Sequence, residues 1–89
     1  MSDYSLVVTY RRGRATAAYL YLFCRLGEKS YRTSRVEPGY IIDFNRKGKP
    51  IGIEITAPSK LTLRALNRVL RDLGLPTVKR TDLAPLLAA

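Results

Sequence analysis

Apolar and polar residues alternate along the first two thirds of the chain, and this pattern predicts a series of short β-strands. The segments YSLVVTY (4–10) and ATAAYLYLFCRL (15–26) favour β-structure and flank the glycine turn RRGR, which predicts a hairpin. Alternation in the second segment gives one face with Ala18, Leu20, Leu22 and Cys24, and another with Ala17, Tyr19, Tyr21 and Phe23. Because both faces are largely apolar, we expect this strand to be central or to lie at a subunit interface.

A second hairpin is predicted between residues 39 and 57. The segment SYRTSRVE (30–37) alternates weakly and predicts a more exposed strand before it, followed by the turn signal Pro-Gly. YIIDF and PIGIEIT then flank NRKGK, where Gly48 suits a loop that needs positive φ. If Asn45 lies opposite Pro50 in this hairpin, then Phe44 lies opposite Ile51. The face that must then be buried carries Ile42, Phe44, Ile51, Ile53 and Ile55.

Asp43 and Glu54 share the other face of this second hairpin. In the same register Asp43 lies opposite Gly52 and Glu54 lies opposite Ile41, so the two carboxylates are diagonal neighbours. They form either a paired-carboxylate site, for acid–base chemistry or a hard metal ion, or a structural acid pair. A flat sheet face has no cleft and few further oxygen ligands, which favours the structural alternative. The expected partners are then Arg32, Arg35 or another basic neighbour.

After Pro58 the hydrophobic spacing becomes that of a helix. Leucine and valine recur at positions 63, 66, 69, 70 and 73, Ser59 or Thr62 can cap the start, and Gly74 and Pro76 end the pattern. The helix should therefore run from about residue 60 to 73, and the tail (77–89) could form one helical turn capped by Thr81 or Asp82. We predict a single α+β domain over residues 1–89. Its four to five short antiparallel strands, within 4–56, form stacked hairpins packed by one C-terminal amphipathic helix.

The composition excludes several kinds of active site. The 89 residues contain no histidine, which removes Ser–His and Cys–His nucleophile pairs and every zinc site that contains histidine. A single cysteine, Cys24, cannot form an internal disulfide or a thiolate cage, and its apolar strand favours a buried structural thiol. No phosphate-binding glycine loop is present. We therefore expect a protein that is not an enzyme and that has neither a metal nor a cofactor.

The charge of the chain is strongly basic, with 16 Lys and Arg against 7 Asp and Glu and a formal net charge of +9. Three clusters account for much of it. The first basic tip comprises Arg11, Arg12 and Arg14; the second basic tip comprises Arg46, Lys47 and Lys49; the helix arginines are Arg64, Arg68 and Arg71. These cations could contact phosphates, with tyrosines stacking on bases, or could only solvate the surface. No motif for reading base sequence is present.

Two stretches of the chain resemble a known family. The core AAYL at residues 17–20 is similar to the opening of the YuzE-like proteins, a small bacterial family with a domain of unknown function (2283). The stronger match is GYIIDF (39–44), then Gly48, then IGIEI (51–55), which resembles that family's signature G-x-I-x-D-x…G-x-x-x-G-I-E-I. The resemblance covers roughly residues 7–59. It implies stacked hairpins and a helix, with no assigned chemistry.

The resemblance also implies an antitoxin-like or regulatory role, because some members look like partners of small toxin-like proteins. The first hairpin turn is usually acidic in that family, whereas here it is RRGR, so no role that depends on an acidic loop carries over. A protein partner would contact the face of Tyr19, Tyr21 and Phe23, and the short chain with its two-sided apolar strand predicts a homodimer. The sequence has no membrane-length apolar run and no signal pattern, so we expect a cytoplasmic protein.

Overall fold

An antiparallel five-stranded sheet forms the centre of the protein. The structure, a computed structural model, describes residues 4–22, 29–36 and 39–87. The strands are β1 (Ser5–Arg11), β2 (Arg14–Tyr21), β3 (Arg32–Val36), β4 (Tyr40–Phe44) and β5 (Pro50–Ile55). The helices are α1 (Leu63–Asp72) and α2 (Ala84–Leu87), and 3₁₀ turns span Pro58–Lys60 and Arg80–Leu83. The predicted α+β class is confirmed.

The strands lie in the order β1–β2–β5–β4–β3, so β2 and β5 join the two predicted hairpins. Strand β2 pairs with β1 on one side and β5 on the other, which confirms its predicted central position. Among the described strands β3 lies at one edge of the sheet and pairs with β4 alone, as its weak alternation indicated. The expected pairings of Asp43 with Gly52 and of Glu54 with Ile41 are present.

One part of the predicted register is wrong. A bulge between Asp43 and Phe44 places Phe44 opposite Pro50 rather than opposite Ile51. The reason lies in the loop, where the side-chain oxygen of Asn45 accepts hydrogen bonds from the backbone N–H groups of Lys47 and Lys49, at 3.0 and 2.9 Å. Asn45 also donates its own N–H to the Lys49 carbonyl. Asn45 therefore lies opposite Lys49 instead of the predicted Pro50, and the loop is one residue shorter than predicted.

The hydrophobic core lies between one face of the sheet and the C-terminal half of the chain. It unites alternate residues of β2, β4 and β5 with the leucine stripe of α1 and with apolar residues of the tail. The largest side chains with almost no exposure are Leu20, Ile53, Ile55, Leu66, Leu70 and Leu83. Burial of each such side chain stabilises the fold by about 1.5–3 kcal/mol.

Helix α1 begins three residues later than predicted. Thr62 is its N-cap and accepts a hydrogen bond from the Ala65 N–H at 3.1 Å, while Lys60 belongs to the preceding 3₁₀ turn. The helix ends in a Schellman motif, as the glycine at position 74 indicated. Gly74, with a φ of 74°, donates to the Arg71 carbonyl, and Leu75 donates to the Leu70 carbonyl.

The C-terminal segment is held on the sheet by specific contacts. The Asn67 side chain exchanges two hydrogen bonds with the backbone of Val78, at 2.8 and 3.1 Å, and Tyr10 donates to the Pro85 carbonyl at 2.9 Å. The N-cap of the 3₁₀ turn is Lys79, so the predicted cap at Thr81 or Asp82 is wrong; Asp82, the third residue of the turn, accepts the Lys79 N–H at 2.8 Å. Within the described ranges no helix has the length and apolarity needed to cross a membrane.

Candidate functional site

The described helices pack on one face of the sheet and leave the other face, called here the open face, uncovered. The register places alternate residues of all five strands on it. Its apolar and acidic members are Val7, Tyr19, Tyr21, Ile41, Asp43 and Glu54. Val7, on the edge strand β1, and Tyr21, on the inner strand β2, are 51% and 45% exposed, so this face presents apolar and aromatic surface. The predicted interface residues Tyr19 and Tyr21 thus share one exposed face.

Tyr19 crosses the middle of the open face. Its hydroxyl donates a hydrogen bond of 2.6 Å to Asp43 Oδ2, although the two residues lie on β2 and β4, with β5 between them. The ring passes directly over Gly52, where an added Cβ would overlap the tyrosine hydroxyl and ring. Gly52 therefore leaves the space that this contact needs. The sequence signal was the glycine opposite Asp43, which indicated a gap but not the residue that fills it.

The two acids do not pair with the expected arginines. Asp43 accepts hydrogen bonds from Tyr19 and, at 3.1 Å, from Ser30 Oγ. Among the described residues neither Asp43 nor Glu54 forms an ion pair. Arg32 instead lies over the Phe44 ring on the opposite face of the sheet, 4.3 Å from its centroid. Among the described residues, hydroxyl donors rather than guanidinium groups therefore hold the Asp43 carboxylate.

The first basic tip is a two-residue turn between β1 and β2. Arg12 has a φ of 52° and Gly13 a φ of 78°, so both central residues adopt the left-handed conformation of a type I′ turn. Glycine adopts this conformation readily, and asparagine or aspartate is favoured before it, whereas arginine is not. All three arginines of the tip are exposed. Turn geometry alone therefore does not explain the arginine at position 12.

The other two clusters are also exposed. In the second basic tip, Arg46 lies over the Tyr31 ring at 5.3 Å from its centroid. The helix arginines are all exposed on α1. None of the cations in the three clusters makes an ion pair with a carboxylate in the part of the chain that the structure describes. As far as the described residues go, these exposed cations are accessible to an external anion.

The structure does not bring the three clusters together. The pairing of β2 with β5 puts the first basic tip at one end of the sheet and the second basic tip at the other. Roughly 25 Å of strand separates Arg14 from Leu22, whose N–H bonds to the Ile51 carbonyl beside the second tip. An anionic ligand that contacts both tips must therefore be extended.

A groove of about 430 Å³ lies between α1 and the adjoining ends of β3 and β4, at Val36 and Tyr40. Its lining residues are Val36, Tyr40, Thr62, Arg64, Ala65, Arg68, Val69 and Asp72. Burial raises the pKa of the Tyr40 hydroxyl above its usual value, so this side chain stays neutral up to strongly alkaline pH. The sequence indicated the arginines of this groove but not its apolar side.

Two predicted residues, Phe23 and Cys24, lie outside the described residues, so their placement on the two faces of β2 stays a prediction. Within the described ranges no group of three or more histidine, cysteine, aspartate or glutamate side chains could hold a metal ion.

Comparison with known proteins identifies the family. The sequence model described as "Protein of unknown function (DUF2283)" matches residues 14–58, about half of the chain. The chain belongs to the DUF2283 family. No curated protein and no solved structure was found to match it.

The DUF2283 match covers strands β2 to β5 and stops before α1. The contact of Tyr19 with Asp43 over Gly52 lies entirely inside the matched region, as does the second basic tip. Strand β1, most of the first basic tip, the helix arginines and the tail lie outside it. In this DUF2283 protein most of the open face thus lies inside the region that the family model matches, whereas many of the basic residues lie outside it.

Proposed function

We propose that this protein is a non-enzymatic binding module that associates with nucleic acid through its exposed cations. The net charge of +9 supports this, since phosphate contacts by lysine and arginine supply most of the affinity of non-specific nucleic-acid binding. The cations of both basic tips and of the helix are exposed and unpaired among the described residues.

The observation that carries the proposal is the left-handed backbone of Arg12. A residue with a side chain costs about 1–2 kcal/mol in this conformation, and asparagine would relieve part of that cost. A strained residue on an exposed tip, next to two more arginines, is better explained by what its guanidinium contacts than by the stability of the turn. Arginine is suited to bidentate contact with phosphate.

The test combines stability and binding in one variant. We expect Arg12→Asn to raise the free energy of unfolding by about 0.5–1 kcal/mol and to weaken binding of a labelled single-stranded oligonucleotide. The triple variant Arg11→Gln, Arg12→Asn, Arg14→Gln should lower the dependence of log K on log salt concentration by about 2, at about 0.7 per lost phosphate contact. Fluorescence anisotropy over a salt series and urea denaturation give the two quantities.

Lys47→Asn is the control. It removes one cation, as Arg12→Asn does, but Lys47 does not have a positive φ, so no backbone strain is relieved. It should weaken binding and leave stability within about 0.5 kcal/mol of the parent. If the unmodified protein binds neither single- nor double-stranded oligonucleotides at low salt, the proposal is wrong and the cations only solvate the surface. Binding that does not change with salt would contradict it equally.

A second candidate function is docking of a protein on the open face, which would fit an antitoxin-like or regulatory role. The exposure of Val7 and Tyr21 on this face favours it, because aromatic residues are enriched at interfaces. The simplest occupant is a second copy of the chain, so we expect a homodimer in sedimentation equilibrium.

The double variant Val7→Lys, Tyr21→Lys should dissociate that dimer. Thr77→Lys, also exposed but outside the sheet, should leave it unchanged. A monomer mass near 10.0 kDa at high concentration of the unmodified protein would rule out the second copy.

A further inference from the structure

The groove beside α1 has a chemically divided lining. Val36 and Tyr40 contribute an apolar side from the sheet, and Ala65 and Val69 contribute apolar surface from the helix. Arg64 and Arg68 stand along the helix at its border, and Asp72 lies one further turn along. Its volume of about 430 Å³ is within the usual range for ligand pockets.

The charges of this groove lack partners inside the described residues. Arg64 and Arg68 are exposed and form no ion pair, and Arg68 does not bridge to Asp72 although the two are four residues apart. Arg64 also lies in the first turn of α1, which contains no acidic residue. A cation is unfavourable at this positive end of the helix dipole, so a carboxylate from outside would be stabilised by both the dipole and the guanidinium group.

We propose that this groove binds an extended segment of a partner protein in which acidic and apolar residues alternate. The spacing fits, because residues one helical turn apart are separated by about 6 Å along the helix axis. Side chains two apart in an extended chain are separated by about 6.6 Å. Two acidic side chains at alternate positions thus reach Arg64 and Arg68, and the apolar residue between them faces Val36 and Tyr40.

The apolar side of the groove favours a peptide over a nucleic acid as its occupant. A phosphate backbone would satisfy the two arginines but would leave the surface of Val36, Tyr40 and Val69 without an apolar partner. The edge position of β3 adds a second feature. Its backbone on the side away from β4 has no strand neighbour among the described residues, and an extended segment in the groove would lie near that edge.

The test uses a labelled short peptide in which leucine and glutamate alternate, measured by fluorescence anisotropy at about physiological salt. We expect saturable binding, and the double variant Arg64→Gln, Arg68→Gln should weaken it at least about tenfold, because two charge-assisted contacts are lost. Glutamine keeps helix propensity, so α1 should remain folded. Ala65→Trp, which fills the groove, should weaken binding as much while leaving the surface charge unchanged.

Arg71→Gln is the matched control, since Arg71 is an exposed arginine of the same helix that does not line the groove. It should change the affinity by less than about twofold. Equal binding of a peptide with glutamine in place of glutamate, or of polyglutamate, would overturn the proposal. It would also fail if Ala65→Trp had no effect on peptide binding.

The same variants test a nucleic acid as the occupant. The groove would be assigned to nucleic acid if a short oligonucleotide bound more tightly than the peptide and lost affinity in the Arg64/Arg68 variant but not in Arg71→Gln.

Discussion

Replacement of Leu83 by alanine is expected to lower the free energy of unfolding by about 2–5 kcal/mol. Leu83 has no measurable exposure and belongs to the same core cluster as Ile53 and Leu66. The loss combines the transfer free energy of the deleted atoms with the cost of the cavity left behind. For a small domain this is a large part of a total stability of about 5–15 kcal/mol.

Urea denaturation followed by circular dichroism measures this effect. Thr81→Ala is the control, because Thr81 is exposed in the same segment and should change stability by less than about 0.5 kcal/mol. A cost for Leu83→Ala below about 1 kcal/mol would mean that the tail is not part of the cooperative core. The result also shows how far the folded unit extends past the region that the family model matches. That match ends at residue 58, whereas Leu83 in the tail belongs to the hydrophobic core.

Replacement of Gly52 by alanine should cost about 2 kcal/mol and should act through Tyr19. The new methyl group would occupy the space of the Tyr19 ring, so the tyrosine must swing away and give up its hydrogen bond to Asp43. A hydrogen bond to a charged group contributes about 1.5–3 kcal/mol, and the neighbouring ring of Tyr21, 4.7 Å from Tyr19 between centroids, would lose part of its contact.

A double-mutant cycle tests this cause. When Tyr19 is already alanine, Gly52→Ala should be close to neutral, since nothing then lies over the glycine, giving a coupling free energy of about 1.5–2 kcal/mol. Gly48→Ala is the control: it adds the same methyl group at a φ of 81° with nothing within 4 Å. Its cost is backbone strain and should add to that of Tyr19→Ala. If the effects of Gly52→Ala and Tyr19→Ala on the free energy of unfolding were additive, the glycine would be needed for the backbone conformation of β5 and not for the Tyr19 contact.

The contact of Tyr19 with Asp43 gives the open face a defined surface. It holds one carboxylate and one aromatic ring in place across three strands. Glu54, between Tyr19 and Ile41, is left without an ion pair among the described residues. A partner that docks on this face should therefore offer a basic side chain to Glu54, whereas nucleic acid is expected on the two basic tips.

Much of the fold was determined by the sequence alone, because it follows from local periodicity. Alternation marked the strands, the change to helical spacing marked α1, and glycines 13, 48 and 74 marked turns where a positive φ is needed. The pairing of Asp43 with Gly52 also followed, since a one-residue slip would have moved the isoleucines of β5 out of the core. These features depend on residues close together in the chain.

Only the tertiary structure decided which distant residues meet. The pairing of β2 with β5 brings Tyr19 over Gly52 to Asp43, and it separates the two basic tips to opposite ends of the sheet. The early closure of the loop depends on the Asn45 side chain, which pattern cannot show. The groove exists because α1 packs beside the end of β3 and the start of β4. Such contacts are set by how whole elements pack against one another, and no spacing within one segment encodes them.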